Sequence, residues 1–405
     1  MAGMVIVGAG ECGTRAALAL RQAGYGGPVT LVGAEPHAPY ERPPLSKDAI
    51  LAGVPAAKAI GGSERLVELG IDFRPSCRAV TIDRAGRCLL LDDGELAYER
   101  LLLATGARPR PLPGADGRHV AMLRTLDDAV RIRAALGPGR RLAVIGGGFI
   151  GLELAASARR LGSEVTVIEM QPRLLGRCVP AEIAEVLHER HLAEGVAFRL
   201  DTRIAGIDGS GVALADGGHI AADLVVAGIG AVPETRLAGA AGLAVDNGIA
   251  VDATLATSDP CIFAAGDCCS FPHPLYDGRR VRLESWRSAQ EQGALAARNM
   301  LGAGEAASAV PWFWSDQHEL TLQMAGLAEG AATAVRRELK GGAFVLFHLA
   351  RDGRLLAAGG IGPGNAVARD IRLCEMLIAR HAKPDPAALG DPSVGLKSLL
   401  SVSCR

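Results

Sequence analysis

One unit occurs twice in this chain and constrains its fold more than any other feature: an apolar strand, a glycine-rich turn, an amphipathic helix and a second apolar strand. The first copy runs VIVGAGECG, TRAALALRQAG, VTLVG, and the second LAVIGGGFIG, LELAASARRLG, VTVIE. Apolar runs flanking an amphipathic helix read as buried parallel strands, so two Rossmann-like nucleotide folds are predicted.

Gly8, Gly10 and Gly13 form G-x-G-x-x-G directly after a strand and at the start of a helix. That is where a pyrophosphate meets backbone N–H groups and the positive end of the helix. Gly146, Gly148 and Gly151 repeat the pattern. An acid follows each motif at close to the ~20 residues that bring a carboxylate to the adenosine ribose, Glu35 in the first copy and Glu169 in the second. A carboxylate there repels a 2′-phosphate, so Glu169 favours NADH, although Arg173 lies close by. A glycine turn without ligand, or a solvated acid at a strand end, is the plainer alternative for each. Two fingerprints imply two dinucleotides, one a bound flavin (FAD) and the other a passing nicotinamide. A pair of this kind converts hydride into single electrons.

Between the copies, LLLATGARPRPLPG reads as a strand ending in a glycine turn and then a proline-rich domain crossing, and after the second copy LVVAGIGAVPET and CIFAAGDCC, short apolar strands that end in glycine turns, are expected to return the chain towards the first domain. From about residue 313 the pattern becomes alternating and antiparallel-looking, then ends in the amphipathic helix VARDIRLCEMLIARHA. The expected class is α/β, glutathione-reductase-like. It comprises a discontinuous FAD-binding domain (1–112 and 236–312), an NADH-binding domain (113–235) and a C-terminal α+β domain (313–405).

Composition narrows the function classes. With 43 basic against 44 acidic residues, no global field points to nucleic acid or membrane. No run reaches the ~18 apolar residues of a membrane span, and the chain opens straight into a strand without a leader. The nine cysteines lack C-x-x-C or zinc-ligand spacing, which fits a reducing cytoplasm.

YERPPLSK (Tyr40 to Lys47), ATGARPR, GGGFIGLE, FAAGDC, ESW and PWFWSDQ together resemble the oxygenase-coupled, FAD-dependent NADH:ferredoxin reductases, in the same order and over essentially the whole chain. The resemblance implies that Lys47 lies beside the flavin and that Pro44 shapes the wall near its ring. Alone, Lys47 would be an ordinary solvated lysine. Asp267 matches the aspartate that bonds the FAD ribitol, although an aspartate there also suits a helix cap. Cys12 and Ala79, together with Arg42, Thr105, Gly106, Arg124 and Trp286, belong to the same implied FAD surroundings, as Ile150 and Gly230 do to those of NAD. Glu153 is implied to contact the nicotinamide carboxamide, a positioning role, and an acid early in a helix is favoured by the dipole in any case. Where relatives carry an acid directly after the glycine of the second strand, this chain has Ala34, which shifts the ribose contact to Glu35.

YERPPLSK has no cysteine, so the dithiol relay of disulfide reductases and the single cysteine of NADH peroxidases are both missing. Cys268 and Cys269 are read as small apolar packing. Arg279, Arg280, Arg282 and Arg287 offer an acidic two-iron ferredoxin a docking patch, and a solvated hairpin accounts for them equally well. The resemblance implies a reductase passing electrons to a two-iron ferredoxin that feeds a monooxygenase or Rieske-type dioxygenase, as a monomer or weak dimer. An NADH oxidase or rubredoxin reductase shares nearly all these residues. An NADH-responsive interaction protein, resembling apoptosis-inducing factor, is disfavoured by the balanced charge.

Overall fold

The computed structural model describes residues 2–53, 57–114 and 118–402. Contacts gather the chain into two compact units: 1–41, 58–108 and 232–309 in one, and 42–57, 109–231 and 310–405 in the other.

The first unit is built on a seven-stranded sheet. Strand Gly3–Val7 lies between Val29–Val32 and Gly94–Leu103, parallel to both, with Ile6 opposite Leu31 and Leu102. Ile71–Arg74 extends one side, and Ile262–Ala264 pairs parallel with the end of Gly94–Leu103. The strands Ala79–Asp83 and Cys88–Leu91 add an antiparallel ladder. Strand Gly3–Val7 is buried throughout, as its unbroken apolar run requires. The first nucleotide helix, Glu11–Gln22, packs against Trp286–Met300. That close approach depends on Gly293, where a Cβ would come 2.3 Å from the Cys12 carbonyl oxygen.

The second unit holds a four-stranded parallel sheet in the order Ala197–Arg199, Glu164–Ile168, Arg141–Ile145, Leu224–Ala227. An antiparallel three-stranded ladder, Ile204–Asp208, Gly211–Leu214 and His219–Ala221, accompanies it. A five-stranded antiparallel sheet follows in the order Trp312–Gln317, Leu320–Gly326, Leu355–Pro363, Phe344–Leu349, Thr333–Glu338, with helix Ala368–Ala379 against its middle strands. One apolar cluster joins the two sheets: Leu152 of the nucleotide helix and Ile183 and Leu187 of helix Ala181–Ala193 meet Leu322, Leu346 and Ile361. Among the described residues no helix is long and apolar enough to cross a membrane.

Since Ile183 is fully buried in this shared cluster, Ile183→Ala is expected to cost about 2–5 kcal/mol and to lower the thermal midpoint of the C-terminal sheet and nucleotide sheet together. Differential scanning calorimetry checks this, and an unchanged profile would contradict a common core.

Candidate functional site: two dinucleotide cradles and a buried carboxylate

The two glycine loops have matching local geometry. Gly8 turns the chain at φ +111°, and a Cβ there would come 2.2 Å from the Ala104 carbonyl oxygen. A Cβ on Gly13 would lie 1.9 Å from the Gly8 oxygen, so this glycine lets the helix close against its own turn. At Gly10, by contrast, a Cβ would meet nothing within 4 Å. The second loop repeats this. Added Cβ atoms would come 2.6 Å from the Gly228 oxygen at Gly146 and 2.4 Å from the Gly146 oxygen at Gly151. At Gly148 the nearest atom would be 3.8 Å away. In each copy the outer glycines satisfy packing, while the middle one, the N-cap of a twelve-residue helix without a side-chain cap, borders open space. Open space before uncapped N–H groups fits a pyrophosphate.

Each acid follows the second strand of its unit. Glu169 directly follows the strand Glu164–Ile168, and its carboxylate accepts from the backbone N–H of Gly147 at 2.7 Å and of Gln171 at 2.8 Å, tying the acid to the glycine loop. The Arg173 guanidinium is engaged elsewhere, donating to the carbonyls of Val179 and Gly176 at 3.0 Å. Ala34 is exposed, whereas Glu35 is half-buried and accepts a short hydrogen bond from the Tyr40 hydroxyl.

Around the first loop, Thr105 Oγ1 donates to the Glu234 carbonyl at 2.6 Å, and Gly106 (φ +68°) accepts from the Glu234 N–H at 2.9 Å. Asp267 is half-buried in a turn behind Gly266 (φ +82°) and precedes the strand Cys269–His273 rather than a helix. Trp286 opens its helix directly after the capping Ser285. Ala79 begins an antiparallel strand opposite Leu91. Cys12, Cys268 and Cys269 are buried free thiols whose pKa values are raised by burial. Cys268 donates to the Leu103 and Ala265 carbonyls, and Cys269 to Gln292 Oε1 at 3.2 Å. Thiols held protonated in this way pack rather than react.

The second unit brings Lys47 and Glu153 together. Pro43–Ser46 forms a 3₁₀ turn, for which Pro43 and Pro44 set the backbone. It delivers Lys47 Nζ to 3.3 Å from Glu153 Oε1 and 5.5 Å from the centre of the Trp314 ring. Glu153 is only 5% exposed. Its other oxygen accepts from Ser46 Oγ at 2.5 Å, and Ser315 Oγ donates to Oε1 at 2.6 Å. Ser157, one turn further along the same helix, donates to the Ser46 carbonyl at 2.8 Å, so two residues of the nucleotide helix fasten the RPPLSK turn. A buried carboxylate needs this full set of donors and a counter-charge. Ser46, Ser157 and Ser315 were not singled out from the sequence, although Ser46 lies inside RPPLSK and Ser315 inside PWFWSDQ. Nearby, Arg42 donates to the Arg124 carbonyl at 2.6 Å. Ile150 is 46% exposed beside the second glycine loop, and Gly230 turns at φ +107° with the Arg177 guanidinium 3.3 Å from where its Cβ would be.

The basic segment is less free than its sequence suggests. Arg280 donates to the Val251 carbonyl at 3.1 Å and the Ser270 carbonyl at 2.5 Å, and Arg282 pairs with Glu284. Arg279 lies over the Tyr276 ring at 5.5 Å, and Arg287 bonds Glu291 at 3.0 Å.

Doubled dinucleotide cradles on paired α/β sheets define a class of nicotinamide-dependent flavoprotein, and the chain belongs to the pyridine nucleotide-disulphide oxidoreductase family, whose model matches residues 3–293. A second model, the reductase C-terminal domain, matches residues 312–400. The chain is 45% identical to the ferredoxin–NAD(+) reductase component of the anthranilate 1,2-dioxygenase system of Burkholderia cepacia, covering 98% of each chain. It is 39% identical to putidaredoxin reductase of Pseudomonas putida, covering 99% of this chain and 97% of that one. The crystal structure of the covalent putidaredoxin reductase–putidaredoxin complex matches with a TM-score of 0.93 at 36% identity over 99% of both chains. The protein is an oxidoreductase of this family, which implies binding of FAD and NAD(P)H.

The glycine contrast is testable. Gly148→Val should leave the fold intact and weaken NAD+ binding at least about tenfold, because its side chain enters the space a pyrophosphate needs. Gly151→Val should instead destabilise the protein, since its Cβ would overlap the Gly146 oxygen. Calorimetric titration and thermal unfolding separate the two effects, and equal unfolding in both variants would contradict the assignment.

Proposed function

We propose that the protein is an FAD-dependent NADH:ferredoxin reductase that draws hydride equivalents from NADH and delivers single electrons to a two-iron ferredoxin serving an oxygenase. The observation that carries this reading is the Lys47–Glu153 pair in a site whose RPPLSK turn has no cysteine, which leaves no thiol to take electrons onward. Bound FAD supplies the chemistry of taking two electrons as hydride and releasing them one at a time. Gly8, Gly10 and Gly13 hold its pyrophosphate, with Glu35 at the ribose and Asp267 at the ribitol. The family resemblance implies that Lys47 lies beside the flavin as a fixed cation, and Glu153 together with the Trp314 face holds its ammonium in place. Glu153 orients the nicotinamide by its carboxamide. With Ser46, Ser315 and Lys47 all bonded to its oxygens, it serves positioning rather than proton transfer.

Glu169 supports NADH over NADPH, since its carboxylate is tied to the glycine loop through the Gly147 N–H and Arg173 is committed to backbone carbonyls. Glu169→Gln should narrow the preference for NADH over NADPH about tenfold in kcat/KM, and an unchanged ratio would place the discrimination elsewhere. An acidic ferredoxin is proposed to dock near Arg279, Arg280, Arg282 and Arg287 by charge attraction. Arg287→Ala should therefore raise KM for ferredoxin and flatten the salt dependence of its reduction, and steady-state assays over a salt series check this.

The function itself is tested by anaerobic stopped-flow mixing of the FAD-loaded protein with NADH and then with a two-iron ferredoxin. Rapid bleaching followed by rapid ferredoxin reduction is expected. Bleaching that only oxygen reverses would contradict the reading in favour of an oxidase.

A further inference from the structure

Behind Glu153, entirely within the second unit, a chain of side-chain hydrogen bonds leads out to a β-turn. Ser315 Oγ, which donates to Glu153 Oε1 at 2.6 Å, accepts from Gln317 Nε2 at 3.0 Å. Gln317 Oε1 lies 2.8 Å from His191 Nε2, and His191 Nδ1 lies 3.2 Å from His318 Nε2. His191, Gln317 and Ser315 are at most 1% exposed.

The donor inventory fixes the direction of this chain. An amide whose nitrogen faces Ser315 turns its oxygen to His191, so His191 carries its proton on Nε2. Its Nδ1 is then a lone pair, which His318 Nε2–H fills. Ser315 already accepts from Gln317, and its one proton goes to Glu153. Every bond therefore donates towards the carboxylate, and successive dipoles polarise one another in a dry interior. An amide does not pass a proton on without rearranging its bonds, so the chain aligns charge rather than conducting protons.

Two further observations agree. His318 has φ +57° in the two-residue turn between Gln317 and Leu320, at the first central position, where glycine is the favoured residue. A histidine held there is strained, and its ring is what closes the outer end of the chain. Burial lowers the pKa of His191 to about 4, which keeps it neutral with a single ring proton. The charged and titratable groups facing the two histidines are His188, Arg190, Glu194, Glu319 and Arg160. Arg190 is paired with both Glu194 and Glu319.

We propose that Ser315, Gln317 and His191 are positioning residues for the nicotinamide step, a reading that rests on the function proposed above: their one-way hydrogen-bond chain fixes the Glu153 carboxylate in the orientation that receives the carboxamide. Gln317→Leu removes the donor that directs the Ser315 proton. Flavin reduction by NADH should then slow about tenfold, as expected when a positioning group loosens, and the Kd for NAD+ should rise. Gln317→Glu restores a donor to Ser315 only while its carboxyl is protonated, so its reduction rate should recover as pH falls, which a merely structural lesion would not do.

The experiment combines stopped-flow reduction and NAD+ titration of both FAD-loaded variants over a pH series with ¹⁵N-histidine NMR of the unmutated holoenzyme, where His191 should be the Nε2–H tautomer. Wild-type rates and affinities in both variants, or an Nδ1–H tautomer at His191, would overturn the inference alone. Failure of NADH to bleach the unmutated flavin would overturn the reductase reading and this inference with it.

Discussion

A carboxylate buried on the second nucleotide helix organises its surroundings. Glu153 has lost nearly all its hydration, and what replaces water is specific: two serine hydroxyls and the Lys47 ammonium. These donors arrive from two stretches of chain, Ser46 and Lys47 from the end of the 3₁₀ turn Pro43–Ser46 and Ser315 from the strand Trp312–Gln317. An unpaired charge at this depth would be costly, so the same demand that keeps Glu153 satisfied fixes where the RPPLSK turn and the PWFWSDQ strand lie against the helix. The edge-to-face contact of Phe149 with Phe313 and the cluster around Ile183 supply the apolar half of that junction.

The glycine loops embody a different constraint. At four of the six fingerprint positions a side chain is excluded by the protein's own backbone, and at the remaining two, Gly10 and Gly148, by nothing the protein contains. Conformation and packing explain the outer glycines, and the open space at the middle ones fits a bound pyrophosphate. The helix N-termini, uncapped by any side chain, lead to the same conclusion.

Much of this was legible in the sequence because it is local. Period and punctuation in VIVGAGECG and LAVIGGGFIG predict strand, turn and helix within a few residues, and the same signals find the strand Phe344–Leu349 and the helix Ala368–Ala379. The antiparallel ladders Ala79–Asp83 with Cys88–Leu91 and Ile204–Asp208 with Gly211–Leu214 were not legible. Their strands are short and half-exposed, with register shifts that blur the alternation. Lys47 and Glu153 were found through motifs, but their pairing joins residues 106 positions apart, and no periodicity carries that information. Ser315 and Gln317 lay in plain view within PWFWSDQ. Their role depends on which strand face meets the helix, which only the packed structure supplies. The arginines of RRVRLESWR read as a charged surface, whereas Arg280 and Arg282 spend part of their hydrogen bonding on neighbouring backbone.

One carboxylate, Glu153, anchors Lys47 and is proposed to contact the nicotinamide as well. A crystal structure of the FAD-loaded protein with NAD+ bound tests that most directly. The carboxamide is predicted to lie within hydrogen-bond distance of Glu153 while Ser315 keeps its bond to the same carboxylate. A nicotinamide ring seated away from Glu153, or a Glu153 side chain released from Ser315 and Lys47 and turned elsewhere, would contradict it.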